Sequence, residues 1–415
     1  MRTALSALAF TLTVAAAAAQ DTAPGIAAEA PAIDIAASTA PAPAPLTPPA
    51  PALARPDITT DEGGLWGLSD RAEQDARASG QLEDDPALNA YLREVACRVA
   101  SSSCGEIRLY VMNRPYFNAS MAPNGYMEVW SGLLLRAENE AQLAFVLGHE
   151  IGHYGERHSL AMLRTLRGRA NAAMVFSIIA SAAGAGAVGD IIYLGTIASV
   201  FGFSRESEAQ ADAIGFDRAV NAGYDANAGR LLWTNLIAET RASDNPDTRR
   251  EETRASIFRT HPLSADRVEA LTARAAPLGA GETQRERYRA IIRPFLDPWL
   301  RADLRRRDYG QTWLVLDRLA AHGEDIGIVE YYRGEINRIR RAEGDSGRAI
   351  QHYTNAIAQP DAPAAAWREL GEYAARAGSN ADAAAFFSTY LERAQGAGDS
   401  ALVTARIAQL TGGGQ

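Results

Sequence analysis

Five consecutive residues, His149-Glu150-Ile151-Gly152-His153, carry the strongest chemical signal in this chain. On an α-helix, residues four apart sit about 40° apart around the axis, so the two imidazoles project side by side and can share one Zn2+. Glu150, one position on from His149, then reaches water at the metal as a general base. Zinc lowers the pKa of such water and polarises a scissile carbonyl, which is what amide hydrolysis at neutral pH requires. The expected activity is that of a zinc metalloendopeptidase. The alternative, two surface histidines on a helix, fits poorly with the preceding Leu143-Ala144-Phe145-Val146-Leu147, which reads as a buried helix face. Gly148 and Gly152 are poor helix formers, and their smallness lets another backbone or a ligand come close.

A catalytic zinc needs a third protein ligand and an open position. His158 is nine residues from His149, about 180° round a continuous helix, which predicts packing or hydrogen bonding for it instead. His261, His322, His352 and carboxylates elsewhere remain as candidates. The best carboxylates are Glu208 and Asp212, in Ser204-Arg205-Glu206-Ser207-Glu208-Ala209-Gln210-Ala211-Asp212. Being four apart on one helical face, one can bind metal while the other contacts a ligand histidine from behind. Taken alone, that stretch reads as a solvated acidic face.

The pairing of the two segments resembles metallopeptidase family 48, the family of the CAAX prenyl proteases, HtpX and BepA-like enzymes. The likeness covers about residues 65–275. Upstream, Asn118-Ala119-Ser120-Met121-Ala122-Pro123-Asn124-Gly125 followed by Gly132-Leu133-Leu134 is similar to the family's strand-and-turn segment. Downstream, Thr260-His261-Pro262-Leu263 with Arg267 matches its His-Pro…Arg element. The resemblance implies Glu208 as third zinc ligand, Asp212 as its supporting aspartate, and an active-site role for His261. As a fourth ligand His261 would hold the enzyme latent, and as a nearby donor it would stabilise an oxyanion. A helix-entry residue ahead of Pro262 is the plainer reading of the same histidine. Arg267 is read as a supporting or salt-bridging residue. Gln210 stands where the BepA-like branch commonly has Glu, and Pro-Asn-Gly stands where Pro-Gly-Gly is frequent. Neither position is an assigned ligand.

The elements needed to position these residues follow from periodicity. Leu88, Tyr91, Leu92, Val95 and Val99 recur at helical spacing, and a strand pattern follows at Ile107–Met112, then Asn118-Ala119-Ser120-Met121 and Tyr126–Trp130, with the turn Pro123-Asn124-Gly125 between the last two. Glu138–Leu166 reads as one long helix, and Ser204–Ala222 as another. The expected fold is α+β: a mostly helical zincin-like (gluzincin) catalytic domain with a small sheet over residues 57–280, then an all-α helical tail over 281–415. Within that tail, Gln284–Arg307 reads as one long helix whose arginines form a solvated face. Gly344 and Gly378, Ala349 and Ala383, and Tyr353 and Phe387 are each 34 residues apart, the tetratricopeptide period. Strand Tyr126–Trp130 either offers an edge to an extended substrate or lies covered inside the sheet.

Residues 1–19 have an Arg2 n-region, an Ala-rich apolar stretch and Ala17-Ala18-Ala19 before Gln20, the pattern of a cleaved signal peptide. With no Cys near that point, no lipid anchor is expected, and the expected location is the periplasm. Residues 20–56 are rich in Ala and Pro and form an expected disordered linker. Cys97 and Cys104 are the only cysteines. In an oxidising compartment they invite a local disulfide, with Ser101-Ser102-Ser103 and Gly105 ending the helix between them. The nearly uncharged stretch 172–203 reads as a buried helical hairpin, or as one that touches a membrane or covers the active site. A net charge of -9 argues against nucleic acid as a partner. Expected partners are protein substrates, with outer-membrane or envelope proteins and an assembly complex implied by the resemblance and recruited by the helical repeats. The alternative from another class is a periplasmic chaperone or assembly factor with a latent or weakly active protease site.

Overall fold

The computed structural model of the chain describes residues 55–169, 203–250, 261 and 263–412. The signal peptide, nearly all of the linker, the 172–203 hairpin up to residue 202, Thr260 and Pro262 lie outside the described residues.

Helix α1 (Asp61–Ala78) starts on Thr60, whose hydroxyl accepts the Gly63 amide at 3.0 Å. Helix α2 (Pro86–Ala100) starts on Asp85, which accepts the Leu88 amide at 2.8 Å, with Pro86 in its first turn. A 3-10 turn, Ser101–Glu106, follows, closed by a disulfide between Cys97 and Cys104. The sheet comprises β1 (Arg108–Met112), β2 (Ala119–Met121) and β3 (Tyr126–Trp130). Its order is β1-β3-β2, with β3 parallel to β1 and antiparallel to β2. Strand β3 is therefore internal and offers no edge to a substrate. The turn into it needs glycine: Gly125 has φ +86°, and a Cβ there would sit 2.1 Å from the Glu106 carbonyl oxygen.

Alternation along β3 sends Met127 and Val129 into the main core and Tyr126 into a second cluster with Leu65, Leu68, Leu160 and Leu163. On the main-core side, after α3 (Ser131–Arg136), lies α4 (Glu140–Gly155), capped by the Asn139 side chain and buried from Glu140 to His153. The expected single helix over 138–166 is two. Gly155 is a weak helix former, and Arg157 takes a left-handed φ of +53°, so α5 (His158–Arg169) sets off in a new direction.

Helices α6 (Arg205–Asn221), α7 (Ala228–Ala242), the short α8 (Pro246–Arg250) and α9 (Ala265–Ala275) complete the region that carries the chemistry. The expected long helix 284–307 is also broken. It comprises α10 (Arg285–Ile292), a 3-10 turn at Arg293–Phe295 containing Pro294, and α11 (Leu296–Leu304). Its arginines are not all solvated: Arg289 is buried against Asp325.

The tail continues as α12 (Tyr309–Ala320), α13 (Ile326–Arg340), α14 (Asp345–Ile357), α15 (Ala365–Arg376), α16 (Asn380–Arg393) and α17 (Ser400–Gly412). Two successive helix pairs share a plan. Gly344 and Gly378 turn between the paired helices at φ +77° and +81°. Tyr353 and Phe387 each lie against a glycine of the preceding helix, Gly334 and Gly371 respectively. One hydrophobic core runs without interruption from Leu88 to Val403. No described helix is long and apolar enough to cross a membrane.

Candidate metal centre

The centre is built where α4 and α6 touch through their smallest residues. A Cβ on Gly215 would lie 2.8 Å from the His149 amide nitrogen, and one on Gly148 would lie 3.1 Å from the Gly215 Cα. Gly152 packs on Ile214 and Ala211, where a Cβ would find atoms at 3.2 to 3.4 Å. Backbone therefore meets backbone, and this close approach brings Glu208 and Asp212 of α6 onto the two histidines of α4. The small glycines flanking the histidines are what the sequence reading required.

Four side chains converge: His149, His153, Glu208 and His261, each with a ligand atom within 4.8 Å of the others. His149 Nε2 lies 3.1 Å from His153 Nε2 and 3.3 Å from His261 Nδ1. Glu208 Oε1 lies 3.0 Å from His261 Nδ1 and 3.5 Å from His153 Nε2, and its Oε2 is 3.6 Å from His149 Nε2. A tetrahedral ion with bonds of about 2.0–2.1 Å separates its ligand atoms by roughly 3.3–3.4 Å, in the middle of this set. The donor set of three imidazoles and one carboxylate suits a divalent transition metal.

The electrostatics fit the same conclusion. Burial pushes the His153 pKa well below its usual value, keeping the ring neutral and able to donate a lone pair. Burial alone would raise the Glu208 pKa, but the charges of His261 and Arg267 and hydrogen bonds from His153 and His261 pull it well down. His261 moves the other way: burial opposes its charge, but the Glu208 and Glu150 carboxylates on either side raise its pKa. His149 Nδ1 lies 3.0 Å from Asp212 Oδ1, close in distance though off the ideal hydrogen-bond line. A hydrogen on Nδ1 leaves the lone pair of Nε2 facing inward.

Asp212 is itself held. Arg267 donates to its two oxygens from Nε at 2.6 Å and Nη2 at 2.7 Å, and its Nη1 lies 2.7 Å from Glu208 Oε2. Burial opposes the Asp212 charge, but Arg267 keeps the pKa below the ordinary value. The Trp233 indole donates to Asp212 Oδ1 at 3.2 Å, and the Arg267 guanidinium lies 5.0 Å from the Trp233 ring centre.

Glu150 lies beside the cluster, its Oε1 3.5 Å from His261 Nε2. Burial raises its pKa. The charges of His261 and His149 and a hydrogen bond from the Met121 amide pull the other way, while Glu208 adds to the rise. That amide belongs to the edge strand β2, so the sheet and the histidine helix meet at the prospective base.

The structure thus brings His149, Glu150, His153, Glu208, Asp212, His261 and Arg267 together. His352 instead pairs with Glu330 in the tail, and His322 lies on the loop after α12, outside the cluster. One participant, Trp233, carries no local signal and escaped the sequence reading. His158 stays outside the four convergent residues and hydrogen-bonds, as expected. What an unbroken helix does not predict is its partner: the turn at Arg157 swings it back to His153, Nδ1 to Nδ1 at 2.9 Å. The Gly155 that weakens the helix was the available clue. Gln210 touches none of the four convergent residues, in keeping with the sequence reading, but it does reach His158.

Residues 83–275 match the model of Peptidase family M48. The putative β-barrel assembly-enhancing protease of Vibrio cholerae is 28% identical over 222 residues, 51% of this chain and 43% of that protein. The β-barrel assembly-enhancing protease of Escherichia coli K12 is 24% identical over 304 residues, 65% of this chain and 60% of that protein. The mitochondrial metalloendopeptidase OMA1 of Schizosaccharomyces pombe is 32% identical over 151 residues, 36% of this chain and 44% of that protein. The chain spans about half the length of the curated relatives it matches. With a metal-binding geometry assembled inside the matched stretch, residues 83–275 are a domain of peptidase family M48.

Proposed function

We propose that the chain is an exported zinc-dependent endopeptidase that acts on misfolded or unassembled cell-envelope proteins. The observation that carries the peptidase reading is the convergence of His149, His153 and Glu208 on one point with Glu150 beside it. When bound there, zinc would polarise a scissile carbonyl and acidify water for attack at neutral pH. His149 and His153 present their Nε2 atoms from one face of α4, and Glu208 presents its carboxylate from α6. Asp212 orients His149, and Arg267 balances the charge of Asp212 and Glu208. Glu150 takes the proton of the attacking water and passes it to the leaving amine nitrogen, and its burial suits it to holding that proton between the two steps.

The substrate class rests on the relatives' names as β-barrel assembly-enhancing proteases, and export to the periplasm rests on the signal-peptide pattern of residues 1–19. The two similar helix pairs between Ile326 and Arg393 support a tetratricopeptide-like tail that recruits substrate or an assembly complex.

A second reading, a latent site, is favoured by His261. Its Nδ1 lies within 3.3 Å of His149 Nε2 and 3.0 Å of Glu208 Oε1, and so completes a four-ligand set. Four protein ligands are the arrangement of structural sites, whereas catalytic ones keep a position open. Metal analysis with casein digestion, run on wild type, Glu150→Gln and His261→Ala, tests both readings. The peptidase reading expects one zinc per chain, and loss of digestion with retained zinc in Glu150→Gln. Latency expects faster digestion by His261→Ala. Undiminished digestion by Glu150→Gln would sink the first reading, and complete loss in His261→Ala would sink the second.

A further inference from the structure

His158 is buried against the centre, yet the chemistry above leaves it without a task. We propose that His158 is a positioning residue that fixes the tautomer of His153, so that Nε2 of His153 presents its lone pair to the metal. The proposal rests on the metal-centre reading and concerns how one ligand of that centre is held.

The hydrogen bonds can be followed inward from the surface, each fixing the next. The Glu156 carboxylate only accepts, so the atom of Gln210 that meets its Oε2 at 2.7 Å is the donating Nε2. That sets the orientation of the amide and turns Gln210 Oε1 toward His158 Nε2, 3.2 Å away. A carbonyl oxygen only accepts, so His158 Nε2 carries the hydrogen and His158 Nδ1 is left as an acceptor. His158 Nδ1 faces His153 Nδ1 at 2.9 Å. Two ring nitrogens at that distance need one hydrogen between them, and His153 supplies it. His153 Nε2 then has only a lone pair, and this atom faces His149 Nε2 at 3.1 Å and Glu208 Oε1 at 3.5 Å.

The two histidines of α4 are therefore held from behind by different groups. Asp212 stands behind His149, and a neutral imidazole stands behind His153. Phe203 stacks on the His153 ring, with centroids 4.1 Å apart and planes 25° apart, and so fixes its tilt as well. The geometry depends on the break at Arg157, because only a helix restarted at His158 points that ring back toward α4.

The test compares full-length wild type, His158→Leu and His158→Asn, stripped with a chelator and titrated with Zn2+ against a chromophoric competitor. Losing an outer partner of a metal-bound histidine costs about 10–100-fold in affinity, and the leucine variant is expected in that range. Asparagine places an oxygen near the former Nδ1 and can still accept from His153, so its affinity should stay within a few-fold of wild type. Gln210→Leu, a change at an exposed position, removes only the outer anchor and should give a smaller loss. It also serves should His158→Leu fail to fold. Independently of metal, 15N-histidine NMR of the stripped wild type should show His153 protonated at Nδ1 and bare at Nε2. Wild-type zinc affinity in His158→Leu, or His153 protonated at Nε2, overturns the proposal. A wild-type chain that takes up no zinc at all overturns the metal-centre reading instead, and the tautomer spectrum then decides the hydrogen-bond assignment by itself.

Discussion

Substituting Asp303 by asparagine should destabilise the protein far more than a change of one atom suggests. Asp303 is fully buried on α11, and its Oδ1 accepts from Arg136 at 2.8 Å and from Arg306 at 2.7 Å, while its Oδ2 accepts from Thr312 at 2.7 Å. Arg136, on α3, is also fully buried and donates to Glu239 of α7 at 2.7 Å. Glu239 in turn takes a hydrogen bond from Arg318 of α12. Asparagine keeps the shape but leaves Arg136 and Arg306 facing a neutral amide. Removing one partner of a buried pair costs about 3–5 kcal/mol, because the remaining charge stays desolvated. For a cooperative unit of roughly 300 residues, that is about 5–8 °C in Tm. The sign with pH can be stated as well. Burial opposes the Asp303 charge, but Arg136 and Arg306 hold its pKa below the ordinary value. Its stabilisation is therefore complete above the unfolded pKa, near 4, and is lost as pH falls through the lower folded value. Urea melts of wild type and variant from pH 7 to pH 3 should show a gap that narrows at the acid end. Equal midpoints at pH 7, or a gap that widens on acidification, would refute the reasoning.

Other outcomes follow from features of the same kind. Gly215→Ala puts a methyl 2.8 Å from the His149 amide and 3.0 Å from the Phe145 carbonyl oxygen, so α4 and α6 must part. A loss of roughly 1–3 kcal/mol in thermal stability is expected, with weaker zinc binding in a chelator competition. Burial alone would raise the Glu330 pKa, but hydrogen bonds from His352, Arg333 and Asn355 hold it at about 2. The stabilisation it gives is present above its unfolded value and lost as pH falls from about 4.5 through about 2. Comparing acid melts with Glu330→Gln should reveal a gap on the order of 1–3 kcal/mol near neutral pH that closes at the acid end. Replacing Cys97 and Cys104 by serine opens a short loop of sequence separation 7. Loop entropy puts the loss near 2–3 kcal/mol, readable as a lower urea midpoint that added reductant no longer changes.

The parts of the centre legible in the sequence were those whose geometry is local. His149, Glu150 and His153 lie within one helical turn, so spacing alone places them together. Glu208 and Asp212 also share a turn, but their meeting with α4 is a contact between distant helices, and the resemblance supplied it. The glycines at 148 and 152 hinted at that contact, although nothing local pointed to Gly215 as their partner. Breaks in helices were the harder feature. Arg157 carries no sequence mark of the left-handed conformation it adopts, and Pro294 sits inside an otherwise helical charge pattern. The buried carboxylates Asp303 and Glu239 look like ordinary surface residues until tertiary packing sets them around Arg136. In the sheet, the pattern gave the strands and the turn but could not say that β3 would lie in the middle.

The seam of small residues between α4 and α6 sets a tolerance as well as a contact. Two rigid rods carry the ligands, and their spacing is fixed by the hydrogens of Gly148 and Gly215. The seam works like the stop of a calliper, because any side chain added there acts as a shim that opens the jaws. His149 is adjacent to the stop, so little of the opening is absorbed before it reaches the ligand atoms. Substitutions at these positions should accordingly be graded by volume and be nearly indifferent to polarity, with serine behaving much like alanine.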